Sequence, residues 1–253
     1  MMLRLHFPSA LAGALILGLT LTSIGAQGTV QATRIPTLTP EQEEILSYMR
    51  IVQLSDGQGG KCKAVRFTGV NVQVVNGLGS TATKNGLGNM IVGYLEAGLP
   101  LGDDRTGSHN LVGGTLNSYT SWGGMVVGRA NTSGAPWASV SGGAGNIAGA
   151  PDASVGGGYL NEVTGNYGWA AGGGQNIVWG EYGSACGGTL NAVGGINAAV
   201  VGGFGNTSDG EVSTVTGGEG NLAHGPRSAV GGGFNRSAPG SHDWAAGSLL
   251  EDF

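Results

Sequence analysis

Charge is scarce in this sequence. Only 11% of its 253 residues are Asp, Glu, Lys or Arg, and the formal net charge is −5. Such a chain has no electrostatic footprint for nucleic acid or for an anionic lipid surface, so neither is expected as a partner. Proline is sparse too, with 8 residues against 53 glycines, and no Gly-X-Y triplet runs through the chain, which excludes collagen. Cysteine is limited to Cys62 and Cys186, too few for a disulfide framework. They are read either as two unpaired small residues or as one bridge between distant positions. Long apolar runs are missing: the longest, Leu11 to Ile24, falls short of a spanning helix. It follows a short basic start at Arg4 and His6 and precedes small residues. Residues 1–32 therefore read as a bacterial-type export signal, cleaved after Ala26 or Ala32, with an uncleaved anchor as the alternative. The expected location is secreted or cell surface, with no membrane insertion once the signal is removed.

Catalytic signatures are lacking as well. There is no G-x-S-x-G elbow, and Lys61 after Gly60 is followed by cysteine where a P-loop needs serine or threonine. His109, His224 and His242 lie in different segments without metal-ligand spacing. Glu96, Asp103, Asp104, Arg105 and His109 make the densest polar cluster, read as a solvated turn in an excursion over residues 94–109. The expectation is a protein that is not an enzyme and uses no cofactor or metal.

What the chain does contain is a repeat. Asn131, Asn146, Asn161, Asn176, Asn191, Asn206 and Asn221 are each fifteen residues apart, and Asn235 follows at fourteen. Upstream of them recur SVSGG from Ser139, SVGGG from Ser154, SACGG from Ser184, AVVGG from Ala199 and TVTGG from Thr214. Ser-Val-Ser alternation has strand period, with Val140, Val155, Val200, Val215 and Val230 on one side. The glycines after it permit a bend. Two residues past each asparagine, Ala148, Val163, Val178, Val193 and Ala223 supply a second apolar position. One unit thus reads as two short strands and two turns, too small to bury a core alone, so units must stack. The expected fold is all-β, a parallel β-roll or β-solenoid of ~15-residue coils over residues 89–247, preceded by a short N-terminal helix. The eight asparagines are expected to form a structural ladder, each amide bonding its neighbours above and below.

These residues, from about Asn89 to Gly247, resemble the head-domain repeats of YadA-like trimeric autotransporter adhesins, whose repeats centre on an S-V-A-I-G-like block. SVSGG and SVGGG look like that block with isoleucine replaced by glycine. The resemblance implies a left-handed parallel roll, a homotrimer and a role in adhesion or matrix contact. No neck motif, stalk heptads or membrane-anchoring strands accompany it.

Before the roll, Thr39, Pro40 and Gln42 make a helix start with a capping box. Leu38, Ile45 and Val52 are seven apart, which fits a short trimerising cap or an amphipathic lid. Residues 33–60 are expected as helix and Gly-rich linker, 61–88 as an irregular strand segment, and 248–253 as a tail. Trp122, Trp137, Trp169 and Trp244 are the candidate ligand contacts, because aromatics on a solenoid edge can stack on sugar rings; the alternative is that they pack a corner or an inter-chain groove. The function that fits is an adhesin-like binding or structural module that contacts surfaces, matrix or glycans. An ice-binding or purely structural solenoid is the alternative, and a polysaccharide-cleaving β-helix enzyme is a third reading.

Overall fold

The computed structural model describes residues 37–94, 96, 103–247 and 249–251. The export signal read in residues 1–32 lies outside the described residues, as do residues 97–102 of the excursion. The chain divides into two compact units, residues 1–72 and 73–253.

In the first unit, α1 (Pro40–Ser47) begins where the sequence places it. Gln42 N–H donates to Thr39 Oγ1 (3.3 Å) and Thr39 N–H to Gln42 Oε1 (2.9 Å), closing the capping box. The helix gives way to β1 (Met49–Ser55), which pairs antiparallel with β2 (Lys61–Phe67). The glycines expected as a linker form the hairpin turn. Asp56 Oδ1 accepts from Gln58 N–H (2.9 Å) and Gly60 N–H (2.8 Å), while Gly57 and Gly59 take φ of 76° and 89°. Ile45 therefore lies in helix and Val52 in strand, so the seven-residue spacing does not run along one helix.

The second unit is a parallel β-solenoid of ~15-residue coils. Equivalent residues of successive coils stack in register: Ser154 pairs with Ser139 on one side and Trp169 on the other. One side of the coils forms a long sheet of eleven parallel strands, from Met90–Val92 to Trp244–Ala246, with an antiparallel Leu249–Glu251 as the twelfth. A second side forms a short sheet of nine strands, from Ser118–Tyr119 to Ser237–Ala238. There is also a third side, which the sequence reading missed. Single residues bridge from coil to coil along Ala144, Tyr159, Gly174, Thr189, Phe204, Glu219 and Phe234. One residue per coil leaves no alternation to read, which is why only two strands were expected.

Three left-handed backbone positions turn each coil. In the coil that starts at Ser154 they are Gly158 (φ 87°), Leu160 (φ 54°) and Tyr167 (φ 58°). Only the first demands glycine for space: a Cβ on Gly158 would run into the Gly173 carbonyl oxygen of the next coil. Inward, the long sheet contributes Val140, Val155, Val200, Val215 and Val230 and the short sheet Val163, Val178 and Val193, all fully buried. The core is one side chain deep on each of the two sheets, mostly valine or alanine with Tyr119, Ser133 and Ser208 in the short-sheet column, so hydrogen bonding between coils carries much of the structural specificity.

Candidate binding surface

The buried asparagines define the geometry on which everything outside them hangs. Asn176 N–H donates to Asn161 Oδ1 (3.0 Å) and Asn191 N–H to Asn176 Oδ1 (3.0 Å). Asn176 Nδ2 donates to the carbonyls of Gly172 (2.9 Å) in its own coil and Gly188 (3.0 Å) in the next. The same pattern covers Asn131, Asn146, Asn161, Asn191, Asn206 and Asn221. The amides bond backbone groups of the neighbouring coil far more than one another, which differs from the amide-to-amide ladder expected. Asn235 is not part of it. The last coil keeps the fifteen-residue spacing, so Arg236 takes the rung and its N–H donates to Asn221 Oδ1 (2.8 Å). Asn235 instead fills the left-handed corner held elsewhere by Leu160 or Gln175, with φ 51°.

With the backbone so fixed, outward side chains stand in columns about 4.8 Å apart. The tryptophans singled out in the sequence do not gather in one place. Trp169 and Trp244 point outward from the long sheet, half exposed, five rungs apart. Trp137 sits on a left-handed corner (φ 57°) and meets Trp122 edge to face, with ring centroids 6.5 Å apart. The indole Nε1 of Trp122 is buried and finds no acceptor among the described residues.

The residues the sequence reading passed over are two tyrosines. Tyr167 and Tyr182 occupy the corner between short and long sheets in adjacent coils, with rings stacked 4.9 Å apart and 5° from parallel. Each is 50% exposed. Trp169 lies on the long-sheet side of this corner and Trp179 on the short-sheet side, both exposed. Asn166 and Glu181 form the column next to the tyrosines, joined through the Tyr182 N–H to Asn166 carbonyl bond (3.0 Å). The signal was present: both tyrosines fall two residues before the first strand of their coil, fifteen apart. One coil-to-coil polar pair also stands out, with His224 Nδ1 2.5 Å from Asp209 Oδ1 on the short-sheet face.

At the other end of the unit the polar cluster is a set of local turns. Asp103 pairs with Arg105 (2.6 Å), and Asp104 accepts from the Thr106 N–H (3.0 Å) and hydroxyl (2.8 Å). These bonds, the backbone one foremost, hold the Asp104 carboxyl below its usual range. His109 is drawn elsewhere: Nε2 accepts from Asn76 N–H (3.2 Å) and Nδ1 lies 3.1 Å from the Thr81 carbonyl. It thereby closes one wall of a cavity of about 410 Å³ lined by Val75, Gly79 and Ser80. Among the described residues no three metal-ligating side chains come together, and no helix is long and apolar enough to cross a membrane. Cys62 and Cys186 are both free and exposed. No known family model matches this chain, and no curated protein matches it.

Proposed function

We propose that the chain is a secreted or surface-displayed binding module, adhesin-like rather than catalytic, in which the solenoid serves as a stiff arm. The observation that carries this reading is the corner at Tyr167 and Tyr182. Half-exposed aromatic rings stand on backbone held by the asparagine ladder, so binding would cost little conformational entropy. Asn166 and Glu181 immediately precede the two tyrosines in the chain, so an amide and a carboxylate belong to the same corner, a mixture of apolar and polar groups suited to glycan or matrix surfaces. The resemblance to YadA-like heads adds the expectation of a homotrimer, in which the same corner would be repeated three times and gain by multivalency.

The test is retention of the purified chain on immobilised glycans and matrix proteins, compared with a Tyr167→Ala, Tyr182→Ala double variant. The expected result is binding that falls at least about tenfold in the variant, the loss typical of an aromatic anchor. Equal retention of both proteins would remove the corner from the binding surface. Retention of neither on any surface would leave a structural solenoid as the better description.

A further inference from the structure

The residue that follows each short-sheet strand belongs to a column on the outer face of the solenoid, with Trp179, Gly194, Asp209 and His224 in successive coils. Backbone bonds set its register: Trp179 N–H donates to the Val193 carbonyl (2.9 Å), and Asp209 N–H to that of Ala223 (3.1 Å). Strand alternation turns these side chains outward, while Val178, Val193, Ser208 and Ala223 point into the core.

Trp179 is half-exposed, and its indole leans over the next rung. A Cβ on Gly194 would lie 2.5 Å from its Nε1, 2.7 Å from Cε2 and 2.8 Å from Cζ2. Gly194 has no left-handed backbone to require glycine, so what its missing side chain makes room for is the indole. Beyond this bare rung, Asp209 Oδ1 lies 2.5 Å from His224 Nδ1. A carboxylate oxygen opposite Nδ1 fixes a proton on that nitrogen and leaves Nε2 to meet a ligand. Asp209 Oδ2 and His224 Nε2 have no partner among the described residues. An exposed pair of this kind adds little to stability, so the fold alone does not account for it.

Indole and pair are thus separated by one rung, ~4.8 Å, which is room for a single six-membered ring. The indole offers an apolar face, and the pair offers two polar atoms at its rim. Charge narrows the choice of ligand. Glu181 and Glu211 stand on the adjoining corner against Arg227, so the surroundings are acidic and disfavour an anion. A cation would meet one indole instead of an aromatic cage, and a carboxylate already engaged by an imidazole.

We infer that Trp179, the bare rung at Gly194 and the Asp209–His224 pair form a subsite for one neutral pyranose ring of a glycan. The C–H face of the sugar stacks on the indole, and two neighbouring ring hydroxyls donate to Asp209 Oδ2 and His224 Nε2. This rests on the reading of the chain as a binding module and adds the class of ligand at a second place on its surface.

The test is saturation transfer from the purified chain to neutral hexasaccharides of glucose, mannose, galactose or N-acetylglucosamine, with titration of those that respond. The expected result is transfer strongest at ring C–H protons, and an affinity at least about tenfold weaker in Trp179→Ala and in Asp209→Ala. Gly194→Ala removes no contacting group but displaces the indole, and should weaken binding as well with an unchanged far-ultraviolet dichroism spectrum. A sialylated oligosaccharide, a sulfated one and tetramethylammonium should show no transfer. Hexasaccharide binding that Trp179→Ala leaves intact overturns this subsite, and the binding reading then stands on the tyrosine corner alone. Tetramethylammonium binding that Trp179→Ala abolishes, with no hexasaccharide response, overturns the ligand class and gives the surface to a cation. Silence from every hexasaccharide overturns the subsite outright, whereas the module itself fails only if the chain is also retained on no immobilised glycan or matrix protein.

Discussion

At the scale of single residues, the ladder asparagine is the most exacting position in the molecule. Replacing Asn176 by alanine strips the Asn191 N–H of its acceptor and the Gly172 carbonyl of its donor, while the Gly188 carbonyl keeps the Gly174 N–H. Each buried group so orphaned costs about 1–3 kcal/mol, so a destabilisation of about 2–5 kcal/mol is expected in thermal or denaturant melts. Asn235 looks identical in the sequence but sits at a left-handed corner off the ladder. Asn235→Gly should fall within about 0.5 kcal/mol of the parent, since glycine adopts that backbone freely. A different economy governs His109, whose ring fits both its partners in one tautomer, with Nδ1–H donating to Thr81 and Nε2 accepting from Asn76. His109→Ala should speed hydrogen exchange at the Asn76 amide at least tenfold without altering exchange in coils beyond Ser139. Unchanged exchange at Asn76 would mean that the loop is held by its other bonds, such as Asn76 Nδ2 to Thr83.

At the scale of one coil, neighbouring glycines have opposite duties. Gly188 has φ 76°, and a Cβ there would strike the Gly203 carbonyl oxygen; Gly187 has open space around it and no left-handed backbone. Gly188→Ala is therefore expected to cost at least about 2 kcal/mol from strain and displacement of the next coil. Gly187→Ala should be neutral or stabilising by up to about 1 kcal/mol, because alanine narrows the unfolded ensemble. Paired melts of the two variants decide it, and equal losses would mean that the corner tolerates no side chain of any kind. The same contrast explains what could be read in advance. Period and inward valines were legible because strand alternation and a fixed fifteen-residue spacing are patterns of residue type. The bridge side was not, because Tyr159, Gly174, Thr189 and Phe204 share a backbone position and nothing else. The tyrosine stack was overlooked for a related reason: Asp152 and Asn197 fill the slots on either side, so the letter recurs only once, at Tyr167 and Tyr182, and did not stand out as a column. The Asn235 slip arose because the nearest asparagine, not the fixed spacing, was taken as the rung.

At the scale of the whole solenoid, stability is a sum over neighbouring coils, since each coil bonds the one before and the one after. The early coils already vary in length: Leu111 pairs with Met125, and Met125 with Ser139, at fourteen-residue steps. Removing one complete coil, Ser184–Ala198, brings Ala199 onto the rung of Ser184 and Asn206 onto the rung of Asn191. Every inward valine and every ladder bond then finds an equivalent partner. The shortened chain should keep a β-type dichroism spectrum and a cooperative melt, with a transition a few degrees lower for the lost interface. Removing Ser184–Asn191 alone does something different. Ala192 and Val193 enter the long sheet, and the next ladder asparagine, Asn206, arrives seven residues late for its rung. The Asn176 side chain then faces no partner in the coil above, and the break should show as rapid proteolysis between Gly183 and Asn206. A half-coil deletion that melted as cooperatively as the whole-coil deletion would show that the asparagine ladder does not set the register of this solenoid.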